Sequence, residues 1–375
     1  TVAIKTLKES ANEEEVSDFL REIALMKDLG KHENVIEMYG CCTRCSPICL
    51  VLEYAPGGNL LNYLRSLKKK CKDIAVARLS EVIQSSKEKS QNLDETERDV
   101  PEDSAFLFPS VSREQNVTEN KIKQAQDFNY EIASKINEEV RIALDPKELE
   151  CFARQIAAGM KHVSDLRVVH RDLAARNILI GENKVLKISD FGLSREGTYV
   201  KNSTGKIPFR WLSIEAMQER TYSTASDVWA FGVVLWEICT LGDVPYSSIL
   251  DRNLKDFLLA GNRLEKLGSC TDDIYDIMLK CWSHLPKERP TFDELTKKLW
   301  DLEHTGSNYV NLERLLQQSM ESEDEEKENQ DNSKPNDTSS AKQLAGTVST
   351  NKNLDNKGFY HEGNDINANS HSQLA

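Results

Sequence analysis

The chain has no long apolar run. The longest, Val228 to Trp236, is closed off by Asp227 and Glu237, far short of the roughly 20 apolar residues that span a bilayer. Its opening residues are not expected to act as a leader, since they do not run basic, then apolar, then small. It opens on Thr1-Val2, without Met and already in a strand-like pattern, so a piece of a longer protein is expected. Positive charge is in deficit: 48 Lys and Arg face 61 Asp and Glu, a net of −13. That balance disfavours nucleic acid as a partner. The nine cysteines are odd in number and follow no regular framework, which fits a reducing compartment. Cys41, Cys42, Cys45 and Cys49 cluster but lack a second ligand pair at metal-site spacing, so they read as structural.

The chain holds 375 residues, 39% hydrophobic and 29% charged, enough to bury the core of two ordinary domains or one large two-lobed one. Residues 1–8 read as a strand. Over 13–30, Val16, Phe19, Leu20, Ile23 and Met26 recur at helical spacing, and Gly30 fits a helix end. Residues 34–54 carry two apolar runs split by a turn, an antiparallel hairpin. Residues 71–144 are polar, with weak periodicity, and read as a long insertion, partly helical and mostly mobile. Order resumes at "DPKE", where Asp145 caps a helix, Pro146 opens it and Glu148 stands at its third position. Residues 145–304 read as mainly helical, with short strands around Val168–Val169, Ile178–Ile180 and Val185–Ile188. From Glu321 to Ala375 there are 11 acidic and 5 basic residues, a net of −6, and 305–375 reads as an acidic disordered tail.

The densest polar chemistry is "HRDLAARN", His170 to Asn177. Asp172 and Asn177 are followed by "DFG" at Asp190-Phe191-Gly192, on loops flanking a short hairpin, and can converge on one magnesium-phosphate site. Upstream, "VAIK" puts Lys5 on a strand, with Glu22 on the helix that follows. Taken singly, each is an ordinary surface charge; in this order, with "SIE" at Ser213–Glu215, they resemble the protein-kinase signature. The resemblance covers residues 1–304 apart from the insertion.

The resemblance implies an α+β, two-lobed protein-kinase fold, with a small, mainly β lobe (incomplete here) and a large, mainly α lobe. The expected division is 1–70 for the partial small lobe, hinge and start of the large lobe, 71–144 for the insert, 145–304 for the large lobe and 305–375 for the tail. It also implies ATP and Mg2+ as cofactors. Asp172 would accept the substrate hydroxyl's proton, Asn177 and Asp190 would hold magnesium, Lys5 would contact the α- and β-phosphates, and Glu22 would fix Lys5. In "LVLEYAPGGNL", Leu52 would be the gatekeeper, Glu53, Tyr54 and Ala55 would line the adenine slot through their backbones, and Ala3 and Leu179 would sandwich the ring. Met26, Ile36, His170 and Phe191 would form an apolar column between the lobes, Asp227 would hold the catalytic loop, and Glu215 and Arg289 would make a buried ion pair.

The Ala174-Ala175-Arg176 stretch and "IPFRW" at 207–211 resemble receptor tyrosine kinases of the fibroblast-growth-factor-receptor, RET and Tie groups, with Phe209 where that family usually has Val or Ile. Tyrosine-bearing proteins are then the expected substrates. The expected setting is the cytoplasmic part of a single-pass plasma-membrane receptor that dimerises. A non-receptor tyrosine kinase or a pseudokinase scaffold is the alternative. Tyr199 is the expected activating site, with Arg171 and Arg195 receiving its phosphate. Tyr309, in "NYVNL", is the expected docking site for SH2-domain adaptors, with Tyr130 and Tyr360 weaker candidates. Glu53, Lys187 and Glu37 are expected to form a charged latch at the hinge. The family's glycine-rich loop before the strand lysine has no counterpart here, which implies an N-terminally truncated kinase domain.

Overall fold

The structure is a computed structural model, and it describes residues 1–44, 46–96, 146–200, 208–268 and 270–305. Cys45, Tyr130, Asp145, Ile207, Tyr309 and Tyr360 lie outside these residues, and so does most of the expected insert and tail.

Three strands, β1 (Val2–Thr6), β2 (Met38–Cys42) and β3 (Cys49–Glu53), form an antiparallel sheet in the order β1-β3-β2. Register pairs Ala3 with Leu52 and Lys5 with Leu50, so Lys5 lies on the strand beside the start of the expected hinge. α1 (Glu13–Leu29) follows β1. Asn12 accepts from Glu15 N while Glu15 reaches back to Asn12 N, both at 2.9 Å, a closed capping box. Its inner stripe is Phe19, Glu22, Ile23, Leu25, Met26 and Leu29. Leu20, expected in that stripe, is exposed, because it falls one position off the buried face. Glu22, a charged residue in an apolar stripe, is the exception the site explains.

α2 (Leu60–Thr96) is capped by Asn59, whose Oδ1 accepts from Asn62 N at 2.8 Å. The helix crosses the expected boundary at 70 without a break: Cys71 is buried and Ile74 packs on the core. α3 (Pro146–Asp165), α4 (Ile214–Gln218), α5 (Thr224–Cys239), α6 (Asp251–Leu259), α7 (Asp272–Cys281) and α8 (Phe292–Thr305) build the larger, helical part. α5 is apolar on every side and buried along nearly its whole length, the pattern of a helix at the centre of a core. α3 packs against α8 and α5, and α7 against α5.

Short strands carry the polar loops. β4 (Val168–Val169) pairs with β7 (Arg195–Glu196), and β5 (Ile178–Ile180) with β6 (Leu186–Ile188); β4, β5 and β6 fall where the sequence placed short strands, and β7 was not expected. β8 (Tyr199–Val200) pairs with β9 (Thr221–Tyr222). The segment after α1 stitches the two parts together. Asn34 O accepts from Ile188 N, and Ile36 N donates to Ile188 O, both at 2.9 Å. Gly159 on α3 lets this segment come close: a Cβ there would lie 2.6 Å from Asn34 O. Farther along, Gly57 N donates to Ile180 O and Ile180 N to Gly58 O, both at 2.8 Å. The β5–β6 hairpin that precedes Asp190 is thus fixed to both parts of the molecule.

Candidate active site

Lys5, Glu22 and Asp190 come from a strand, a helix and a turn far apart in sequence, and they meet. Lys5 Nζ lies 2.7 Å from Glu22 Oε1, 2.9 Å from Glu22 Oε2 and 3.1 Å from Asp190 Oδ1. Burial pulls the Lys5 ammonium down, but the carboxylates of Asp190 and Glu22 outweigh it and hold the group above the ordinary lysine range. Burial pushes Glu22 up, and Lys5 offsets this only in part. Burial pushes Asp190 up as well, but there Lys5 prevails and the carboxyl stays below its usual range. Two carboxylates are therefore held against one cation at the junction of the two parts.

The turn that presents Asp190 is held by packing. Asp190 has φ 61° and ψ 69°, a left-handed conformation uncommon for a residue with a side chain. Phe191 is fully buried and meets the edge of the His170 ring, with centroids 5.0 Å apart. A Cβ on Gly192 would come within 3.3 Å of Glu22 Oε2, so glycine lets the turn lie against α1. Met26, Ile36 and Phe191 all belong to the main hydrophobic core, and His170 is buried against Phe191.

The loop around Asp172 hangs from α5. Asp227 accepts from His170 N at 2.7 Å and from Arg171 N at 2.9 Å. Burial raises the Asp227 carboxyl to about 6, against those two bonds and the nearby His170. Asn177 Nδ2 donates to Asp172 O at 2.7 Å, which turns its amide oxygen the other way. Asp172 is largely buried and its side chain pairs with Arg176. Burial raises its carboxyl, and Arg176 opposes the shift. Arg176 also lies over the Trp211 ring, 4.4 Å from its centroid, which ties the proton-accepting candidate to "IPFRW". Phe209 packs with Val169, Leu212, Ala216 and Tyr222.

Of the expected adenine-slot residues, Ala3 and Leu52 are register partners, and Leu179 joins Asn59 by an isolated bridge. Tyr54 and Ala55 form the extended link from β3 toward α2, Tyr54 exposed and Ala55 half-buried. Glu53 N is engaged by Glu37 O at 2.9 Å. The hinge latch differs from expectation. Lys187 pairs with Glu53 at 2.9 Å, but the Glu37 carboxylate turns to Lys31, also at 2.9 Å, and Glu37 meets Glu53 through its backbone, its N–H donating to Glu53 Oε2 at 3.3 Å and its carbonyl accepting from Glu53 N. Two carboxylates therefore do not share Lys187.

Arg171 donates to Leu193 O at 2.9 Å and stacks 4.3 Å from the Tyr222 ring centroid. Tyr222 is the register partner of Tyr199, so Arg171 lies beside the strand that carries the expected switch; the Tyr199 side chain is outside the description. Arg195 instead reaches α1, pairing with Asp18 at 2.9 Å. Among the described residues no group of three or more His, Cys, Asp or Glu side chains forms a metal cage. An all-oxygen pair such as Asp190 and Asn177 suits magnesium, which takes one or two protein ligands alongside phosphates.

Glu237 was not singled out by sequence reasoning. It is buried in α5, yet one of its oxygens accepts from Ala175 N and from Trp211 Nε1, each at 3.0 Å. Burial raises it to about 7 against these bonds. Its only sequence signal was an acid inside an otherwise apolar run.

Residues 1–299 match the model of the protein tyrosine and serine/threonine kinase family. The chain is 40% identical over 84% of its length to the tyrosine-protein kinase receptor torso of Bombyx mori. It is 35% identical to vascular endothelial growth factor receptor 1 of Rattus norvegicus and 34% to fibroblast growth factor receptor 1 of Pleurodeles waltl, each over 84% of this chain. It spans 36%, 24% and 32% of those relatives' own lengths.

Proposed function

This chain belongs to the protein tyrosine and serine/threonine kinase family, and on that premise we propose that it transfers the γ-phosphate of ATP to tyrosine hydroxyls. The observation that carries the reading is the joining of Lys5, Glu22 and Asp190 in one ion cluster beside a loop that holds Asp172 and Asn177 in hydrogen-bonded register. Phosphoryl transfer asks for positioning and charge neutralisation more than covalent help. Protein kinases use ATP and magnesium; Asp190 and the Asn177 amide oxygen would hold the ion, which neutralises phosphate charge when bound. Lys5, fixed by Glu22, would supply its ammonium to the α- and β-phosphates. Ala3, Leu52 and Leu179 would hold the adenine, with the backbone of Glu53 to Ala55 supplying hydrogen-bonding groups. Asp172 takes the proton from the attacking hydroxyl. Arg176, between Asp172 and the Trp211 ring, supports that carboxylate.

The relatives named as receptors support a receptor setting. The chain is then the cytoplasmic signalling part of a single-pass plasma-membrane receptor, with a second receptor copy and tyrosine-bearing proteins as partners. Phosphorylated Tyr309, followed by Asn311, would recruit SH2-domain adaptors. No helix among the described residues is long and apolar enough to cross a membrane. The test is transfer from ATP-magnesium to three peptides differing only in a Tyr, Ser or Thr acceptor. Tyrosine alone should be labelled; equal labelling of Ser would overturn the proposal.

A further inference from the structure

Four groups, Arg176, Trp211, Glu237 and Ala175, form a closed circuit at the back of the candidate active site, and Asp172 hangs from it. Asp172 pairs with Arg176. The Arg176 guanidinium lies 4.4 Å from the Trp211 ring centroid. Trp211 Nε1 donates at 3.0 Å to Glu237 Oε2, and the same oxygen accepts from Ala175 N at 3.0 Å. The Ala175–Arg176 peptide closes the ring. One carboxylate oxygen, on a helix buried in the core, therefore sets the spacing between the loop that carries Asp172 and the segment that carries Trp211. Holding a charge there has a cost, since an acid in an apolar core is disfavoured unless its bonds compensate. An apolar residue would suit α5 better if packing were all this position did.

We infer that Glu237 is a positioning residue for the acceptor side of the reaction: it locks the Asp172 loop to the peptide-binding segment through Ala175 and Trp211, and it leaves the nucleotide side alone. This rests on the kinase reading above. The nucleotide groups Lys5, Glu22 and Asp190 lie outside the circuit, and Asn177, though next to Arg176, is anchored separately by Ser189, whose N and Oγ donate to its carbonyl at 2.9 and 2.8 Å, so disturbing the circuit should separate two activities that share these groups: transfer to peptide, and slow hydrolysis of ATP to water. A displacement of about 1 Å at a reacting centre can lower a rate on the order of 100-fold.

The experiment compares the full-length parent with Glu237→Leu, Glu237→Gln and Trp211→Phe. Glu237→Leu removes the acceptor. Glu237→Gln keeps an accepting oxygen of the same reach. Trp211→Phe removes only the indole donor and keeps a ring for Arg176. Glu237→Leu should lower kcat/KM for a tyrosine peptide about 10- to 100-fold, with ATP hydrolysis and the KM for ATP little changed. Glu237→Gln should restore most of the loss. Trp211→Phe should reproduce part of it, and the Leu/Phe double variant should lose less than the two single effects combined. Peptide transfer and hydrolysis falling in parallel, peptide transfer unchanged in Glu237→Leu, or strictly additive effects would each overturn the inference. If Glu237→Leu does not fold, Trp211→Phe and Glu237→Gln decide. The Trp211 indole proton gives a readout independent of catalysis: its exchange with solvent should be slow in the parent and in Glu237→Gln and fast wherever the acceptor is lost. An inactive parent with a protected indole would count against the kinase reading; an active parent with an unprotected indole would count against this one.

Discussion

Lys5 Nζ donates to both carboxylate oxygens of Glu22, at 2.7 and 2.9 Å, so β1 and α1 are tied at the one point where Asp190 also arrives. A fixed donor aimed at phosphate charge acts in the transition state, and losing such a donor typically lowers kcat about 10²–10³-fold. Lys5→Met, which keeps the apolar stem, should lower kcat on that order and leave the peptide KM nearly unchanged. Glu22→Gln should lose less, since its amide oxygen still accepts one bond. Steady-state kinetics with ATP and peptide varied separately check both.

The ion pair between Arg289 and Glu215 is a stability element. Arg289 Nη1 and Nη2 reach the two Glu215 oxygens at 2.6 and 2.8 Å, and Arg289 also donates to Ala225 O and Ser283 O. Glu215→Ala leaves a buried guanidinium without its carboxylate, which should cost about 3–5 kcal/mol in urea unfolding. Burial pushes the Glu215 carboxyl up, but Arg289 prevails and the group titrates below its ordinary range. A folded-state value below the unfolded one of about 4.3 means this stability is present above pH ~4.3 and is lost as pH falls through the lower folded value. The parent should therefore lose stability on acidification in a way Glu215→Ala does not.

Gly159→Ala is expected to loosen the junction between the two parts. The added methyl would meet a carbonyl oxygen at 2.6 Å and Ile188 Cδ1 at 2.7 Å, and backbone cannot yield cheaply there. Alanine's helix propensity favours the variant by roughly 1 kcal/mol, so a net loss of stability isolates the clash. The check is thermal unfolding together with hydrogen exchange at Ile36 N and Ile188 N, which should speed up together.

Phosphorylation at Tyr199 should act on peptide turnover more than on ATP affinity. It adds about −1.5 to −2 charge on the strand partner of Tyr222, the ring on which Arg171 stacks. Arg195 is already paired with Asp18 of α1, so a phosphate that draws it away would also alter α1. Tyr199→Phe should lose most of the rate gain that follows preincubation with ATP-magnesium. An equal gain in the Phe variant would place the switch elsewhere.

The proposed catalytic set was legible as a candidate because its residues come as motifs in a fixed order: Lys5, Glu22, Asp172, Asn177 and Asp190 were named from spacing and resemblance, and of these Lys5, Glu22 and Asp190 meet in one cluster. Of the short strands, β4, β5 and β6 were expected from the sequence, and the two-residue strands β7, β8 and β9 were not. What failed to show depended on direction rather than identity. Glu37 and Glu53 are both acids near Lys187, but only the fold decides that Glu37 faces Lys31. The helix through Cys71 did not show because one side of it is solvated, so its pattern reads as polar linker. Glu237 was hidden by its neighbours: in an apolar run, periodicity reports only burial, and the bond partners at Ala175 and Trp211 come from loops distant in sequence.

The most direct test of the account is the rate of phosphoryl transfer to a tyrosine peptide by Asp172→Asn at saturating ATP-magnesium, measured in a single turnover. The Asp172 carboxyl, raised by burial and opposed by Arg176, is the assigned proton acceptor, and asparagine keeps its size without its basicity. The account predicts that ATP binding persists while transfer falls by about 10²–10⁴-fold, the range that general-base catalysis supplies. Transfer at the parental rate by Asp172→Asn would contradict it.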